Sequence, residues 1–210
     1  DSCGKVIAWY DLIPVTSYLV LRGRCRYCHS KIPVRGFFIE IFGGLSGVFC
    51  FYRFGFEYET VLMFVIAMIL LAITMIDFDT MIIPDGLNIA MFLVCLVLIF
   101  FRQMSLVDSI IGMFCISLPM FLLNLVIPDS FGGGDIKLMF ASGIALGWKY
   151  SLLAAFIGIL IAGIYCIYLI LTKKVDKKGH IAFGPYLSIG IFIALCYGYE
   201  IVSWYLNLLM

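Results

Sequence analysis

Two carboxylates set in apolar surroundings are the residues of this chain best suited to chemistry. Asp77 ends the uncharged run Thr60–Ile76, and Asp135 follows Gly132, Gly133 and Gly134 at the start of another apolar stretch. Ionisable groups at membrane depth are costly and usually functional. Two carboxylates a few ångströms apart resist ionising together, so they share a proton near neutral pH. One then acts as a base toward water and the other as an acid toward an amide carbonyl, which is how a carboxylate pair hydrolyses a peptide bond. The glycines before Asp135 permit close approach of backbone or substrate, and Lys137 is placed to tune the pair. A structural alternative stands beside this one: both residues serve as helix N-caps or interfacial loop residues. Asp79, Asp85 and Asp129 are nearby rivals, and Asp85 after Pro84 reads as the cap of the next helix.

A second cluster holds Cys3, Cys25 and Cys28 in a polar segment. Cys25-x-x-Cys28 reads either as a redox pair or as half of a zinc site. Cytosolic thiols stay reduced, and tetrahedral zinc needs four ligands. Cys3-Gly4 resembles the end of a second knuckle whose other cysteine would precede Asp1. His29 is a substitute ligand or a plain surface histidine. Cys50, Cys95, Cys115, Cys166 and Cys196 lie in apolar runs and read as small buried hydrophobes. Glu40, at the entry to an apolar run, is a candidate for substrate or cofactor contact, or an interfacial carboxylate paired with Arg35.

The elements that must position these residues are membrane helices. Of 210 residues, 64% are hydrophobic and 13% charged, and the mean hydropathy is +1.12. Soluble domains carry about 45–50% apolar and about 25% charged residues, so a lipid bilayer is the expected solvent. Residues 1–36 form a small cysteine-bearing water-facing domain whose apolar stretch Leu12–Leu21 can pack on the membrane surface. Residues 37–210 form the membrane domain, with spans expected near 37–52, 60–76, 86–101, 107–127, 136–148, 150–172 and 183–207. The segment 136–148 is short for a span and reads as a half-helix or a tilted one. With residues 1–36 in the cytoplasm, 11 cations fall inside: Lys5, Arg22, Arg24, Arg26, Lys31, Arg35, Lys137, Lys173, Lys174, Lys177 and Lys178. Only Arg53, Arg102 and Lys149 fall outside, which satisfies the positive-inside rule and puts Asp77 and Asp135 on the cytoplasmic side. Gly43–Gly47 and Gly143–Gly147 have the spacing of close helix contacts. Pro119 is expected to kink its span. The fold class is therefore an all-α polytopic membrane protein, with no nucleic-acid partner expected.

Gly132-Gly133-Gly134-Asp135-Ile136-Lys137 resembles the GxGD-x-K motif of the type IV prepilin peptidases. Ile76-Asp77 with Ile82-Ile83-Pro84-Asp85 resembles their other catalytic segment. Arg24-Cys25-Arg26-Tyr27-Cys28, Glu40 with Gly43-Gly44, and Phe183-Gly184-Pro185-Tyr186 follow in the family's order, so the resemblance covers essentially the whole chain. It implies that Asp77 and Asp135 are the catalytic pair, with Gly132, Gly134, Lys137 and Glu40 in support. It implies a bacterial inner-membrane enzyme that removes a short basic leader from a prepilin or pseudopilin after a glycine. It further implies N-methylation of the new N-terminus with S-adenosylmethionine, and structural zinc on Cys3, Cys25 and Cys28. The family pattern has an additional preceding helix and a second CxxC pair, so the expectation is of a truncated or processed chain. Two other readings remain: an ion or proton transporter using the two carboxylates as relays, which expects inverted repeats, and a zinc-bearing scaffold that needs neither.

Overall fold

The computed structural model describes residues 4–128, 130–172 and 181–209; Cys3, Asp129 and the Lys173, Lys174, Lys177 and Lys178 cluster lie outside them. A 3-10 turn, Trp9–Leu12, and a short helix α1, Thr16–Val20, precede six long helices. These are α2 (Val34–Phe54), α3 (Tyr58–Thr80), α4 (Asp85–Arg102), α5 (Leu106–Val126), α6 (Gly133–Leu171) and α7 (Gly184–Leu209). All six are long and apolar enough to cross a membrane. Their surfaces are largely apolar because lipid is their solvent: every backbone polar group is satisfied inside a helix, and no charged outer face is needed.

The expected spans 136–148 and 150–172 are joined in one helix of 39 residues. Straight, it would extend about 58 Å at 1.5 Å per residue, roughly twice the hydrocarbon thickness. The break lies at Gly147, with φ 66° and ψ 177°, a conformation that favours glycine. The neighbours show that the chain reverses there. On the way in, Gly134 abuts Ile83. On the way back, Gly198, Gly190 and Gly158 in turn face Tyr150, Ala154 and Leu187. The ring of Tyr165 then lies 5.7 Å from that of Tyr186, near the start of α7. α6 is thus two limbs of opposite direction, so the described residues run seven times between the two ends of the bundle. The first limb, 133–146, is about 21 Å long, the short element anticipated for this stretch.

Alternation follows from the contacts at each end. Arg53 pairs with Glu200 and donates to Cys196 O at 3.1 Å. Arg102 pairs with Glu59 at 2.7 Å and donates to Leu195 O at 3.1 Å. These four charged groups gather the ends of α2, α4 and α7 and the start of α3 at one end of the bundle. Asp77 and Asp135 lie at the other. The small residues pack as their spacing suggests: Gly143 lies against the backbone of Gly112 in α5, and Gly47 against the ring of Phe64. α5 stays helical through Pro119.

Candidate active site

The two carboxylates arrive from opposite helix termini. Asp77 sits in the last turn of α3, whose backbone closes in a left-handed cap at Met81, where the Met81 N–H reaches Asp77 O at 2.9 Å. Asp135 lies in the first turn of α6, where the Asp135 N–H reaches Gly132 O at 3.0 Å. Their side chains are 4% and 6% exposed, and both line one cavity of about 550 Å³. Its remaining wall comes from Met81, Ser130, Phe131, Gly132 and Gly133 on one side and from Ile181, Ala182 and Phe183 on the other. At about 30 Å³ per water, this space takes several waters or a short stretch of extended peptide.

Close approach at two glycines makes the meeting possible. A Cβ on Gly134 would lie 2.7 Å from Ile83 Cβ, and one on Gly184 would lie 2.7 Å from Asp77 Oδ2. Ile83, itself buried, reaches both. It wedges the α3–α4 loop between the first turns of α6 and α7. The Gly184 N–H donates to Asp77 Oδ2 at 2.9 Å. That amide belongs to a helix N-terminus, a natural binder of negative charge. Asp135 Oδ1, by contrast, is buried with no hydrogen-bond partner among the described residues. The glycine loop is held from behind by Asn124 of α5. Its side-chain amide donates to Phe131 O and its Oδ1 accepts from the Phe131 N–H, both at 2.8 Å. The Phe131 and Phe183 rings, 5.9 Å apart, close the cavity between loop and α7.

Two of the rival acids, Asp79 and Asp85, are paired elsewhere. Asp79 pairs with Arg35, which also donates to Met75 O at 2.5 Å. Asp85 pairs with Lys137 at 2.6 Å. The expectation of Asp85 as a helix cap is corrected: Pro84 holds the N-cap position, and the Asp85 carboxylate reaches across to α6 instead. Lys137 is two positions past Asp135, so helical geometry turns it away from the cavity and toward Asp85. Glu40 does not pair with Arg35; its Oε2 accepts the Val15 N–H at 2.7 Å. Of the supporting residues, Gly132 lines the cavity, Gly134 abuts Ile83, and Lys137 and Glu40 stand outside the cavity wall. Asn124, Ile83 and Asn88, whose side-chain amide donates to Gly134 O at 3.4 Å, received no role from the sequence. A lone asparagine in the apolar run Met113–Ile127 was the available signal for the first. Gly184 stood in a recognised segment, without the donor role its amide takes.

Of the expected zinc ligands, Cys25 and Cys28 lie among the described residues. Cys25 and Cys28 border a tight turn, with the His29 N–H on Cys25 O at 3.0 Å and Cys28 Sγ 3.0 Å from Ser30 Oγ. Cys3 lies outside the described residues, and among those described no group of three or more His, Cys, Asp or Glu is arranged to hold a metal. Two thiols are half of a tetrahedral set, so these residues alone do not fit structural zinc. The cavity beside the turn, lined by Arg22, Arg24, Arg26, Cys25 and His29, offers cations but no carboxylate for the ribose diol of a methyl donor such as S-adenosylmethionine.

Comparison with known proteins agrees with this geometry. Residues 1–54 match the bacterial peptidase A24 N-terminal domain, and residues 64–167 match the type IV leader peptidase family. Curated relatives bear the name prepilin leader peptidase/N-methyltransferase. That of Aeromonas salmonicida is 31% identical over 214 residues, covering 99% of this chain and 74% of the relative. That of Aeromonas hydrophila is 32% identical over 211 residues, covering 98% and 73%. That of Pseudomonas aeruginosa is 29% identical over 211 residues, also covering 98% and 73%. No solved structure matches. Together with its six membrane-length helices, these relatives make this a multi-pass protein of the bacterial inner membrane, and the chain belongs to the type IV leader peptidase family.

Proposed function

We propose that this chain removes the leader peptide from a prepilin or pseudopilin through Asp77 and Asp135, and N-methylates the new N-terminus. The observation that supports the peptidase half is the convergence of these two carboxylates on one cavity, with no cation paired to either among the described residues. In this reading, one proton is shared by the pair. The ionised carboxylate takes a proton from water, while the protonated one donates to the scissile carbonyl oxygen. The water oxygen attacks the carbonyl carbon; in collapse of the tetrahedral intermediate, the carboxyl that took the proton from water gives it to the leaving amine, and the other carboxylate takes back a hydroxyl proton. The Gly184 amide orients Asp77 throughout. The substrate lies in the same membrane, its apolar helix against the bundle and its leader junction at the cavity on the cytoplasmic side. Residues 1–36 form the cytoplasmic domain and residues 37–210 the peptidase domain.

The relatives' names support methylation, with S-adenosylmethionine as donor, a molecule that supplies an electrophilic methyl group to the amine. An ion relay would also use buried acids, but it does not explain a cavity wide enough for peptide. The test is leader removal in proteoliposomes containing a prepilin, comparing wild type with Asp77→Asn and Asp135→Asn. Each substitution alone is expected to slow cleavage roughly 10²–10⁴-fold; a variant that cleaves near the wild-type rate would defeat the assignment. Labelled S-adenosylmethionine in the same vesicles reads methyl transfer separately.

A further inference from the structure

The N-terminal module has an exposed apolar surface that the cavity chemistry does not use. Among residues 4–33 only Gly23 is buried. Trp9 is 77% and Val20 75% exposed, and Leu12, Ile13 and Leu19 are exposed beside them. Thirty residues without a core of their own do not leave such a surface in water. The module is also tied to a membrane span along its length. The Val15 N–H reaches Glu40 Oε2 at 2.7 Å, and Tyr18 stacks on Phe37 at 4.7 Å. Glu40 lies about 9 Å along α2 from Val34 at 1.5 Å per residue. The strap Leu12–Leu21 is thereby held alongside the first turns of α2, at the level where a bilayer surface must pass.

The charges complete the match. Asp11, the one acid described in the module, is held by Arg26 through two hydrogen bonds of 2.6 and 2.8 Å. That bond holds the Asp11 carboxyl below its usual range. Lys5 covers the ring of Tyr27. Arg22, Arg24 and Lys31 have no ion-pair partner among the described residues. Arg22 and Arg24 line the cavity next to exposed Val20.

We infer that residues 9–24 are seated in the bilayer interface, with Trp9, Leu12, Leu19 and Val20 among the acyl-chain ends and Arg22 and Arg24 on the phosphates of anionic lipids. A guanidinium fork suits phosphate, and basic residues beside an apolar face favour an anionic leaflet. The inference rests on the spans and not on the peptidase reading. It also explains why Glu40 is spent on a backbone amide: it holds the strap at the depth of the span.

The test uses the full chain with Trp148→Phe and Trp204→Phe in nanodiscs, leaving Trp9 as sole reporter. In discs containing phosphatidylglycerol, lipid brominated just below the headgroup should quench Trp9 strongly, and iodide only weakly. R22A/R24A should raise iodide access severalfold in these discs and change little in phosphatidylcholine discs. A second reporter, Leu19→Trp with Trp9→Phe in the same background, should behave alike. Free access of iodide to both reporters would overturn the inference. So would protection from iodide and brominated lipid alike, which would mean that protein covers this face. Equal behaviour in both lipids would remove the arginine–phosphate contact and with it the proposal.

Discussion

The two ends of the bundle treat charge in opposite ways. At one end, Arg53 and Arg102 each take both a carboxylate and a backbone carbonyl: Glu200 with Cys196 O, and Glu59 with Leu195 O. At the other end, Arg35 is held by Asp79 and Lys137 by Asp85. Asp77 keeps one backbone amide, and Asp135 Oδ1 has no partner among the described residues. The same residue types thus make a structural clamp at one end and, at the other, a cavity whose two carboxylates have no cation among the described residues. Full pairing neutralises a carboxylate's capacity to take or give a proton; withholding the cation preserves it.

The contrast is broken most severely by Asp77→Asn or Asp135→Asn, each expected to lower kcat for leader removal roughly 10²–10⁴-fold with little change in thermal stability. Gly184→Ala comes next. Its Cβ would fall on Asp77 Oδ2, and displacing a reacting group by about an ångström costs roughly 10²-fold. Gly163→Ala, which would meet nothing within 4 Å, is the matched control and should be silent in the same assay. At the clamp the effect should be on stability alone. Arg102→Met, by removing a charged hydrogen-bond set that is mostly shielded from solvent, should cost about 1.5–3 kcal/mol in detergent unfolding while the remaining folded enzyme keeps its kcat.

Lys137→Met sharpens the comparison by its smallness. An exposed pair contributes about 0–1 kcal/mol, so a change of cleavage rate beyond a few-fold would show that Lys137 reaches the cavity after all. The least effect is expected at Asp11. Its folded-state pKa lies below the usual value because of the Arg26 bond. The stabilisation is therefore complete above the ordinary carboxylate pKa of about 3.9. It is lost as pH falls through the lowered folded value. Protease protection of the N-terminal module should be insensitive to Asp11→Asn under strongly acidic conditions and slightly reduced by it at neutral pH.

Much of this was legible in order along the chain. Long apolar runs interrupted by cations must become membrane helices, because lipid offers backbone groups no other partner, and the alternation of Arg and Lys told which ends lie together. The isolation of Asp77 and Asp135 in apolar sequence pointed at the site, since a carboxylate there is costly without a use. Even the short span before Gly147 could be anticipated from its length. What the sequence left open depended on contacts between distant segments. Asp85 and Lys137 stood as cap and tuning cation until folding placed them opposite each other. Glu40 stood either as a substrate or cofactor contact or as the partner of Arg35 until α3 brought Asp79 to the arginine and the strap brought Val15 to the glutamate. The amide of Gly184, 107 residues from Asp77, could be given its role only by the approach of two helix ends around Ile83. Hydropathy and charge are properties of a segment and determine where it dissolves. Hydrogen bonds and ion pairs reach only a few ångströms, so which acid keeps a cation and which is left reactive was decided by tertiary structure.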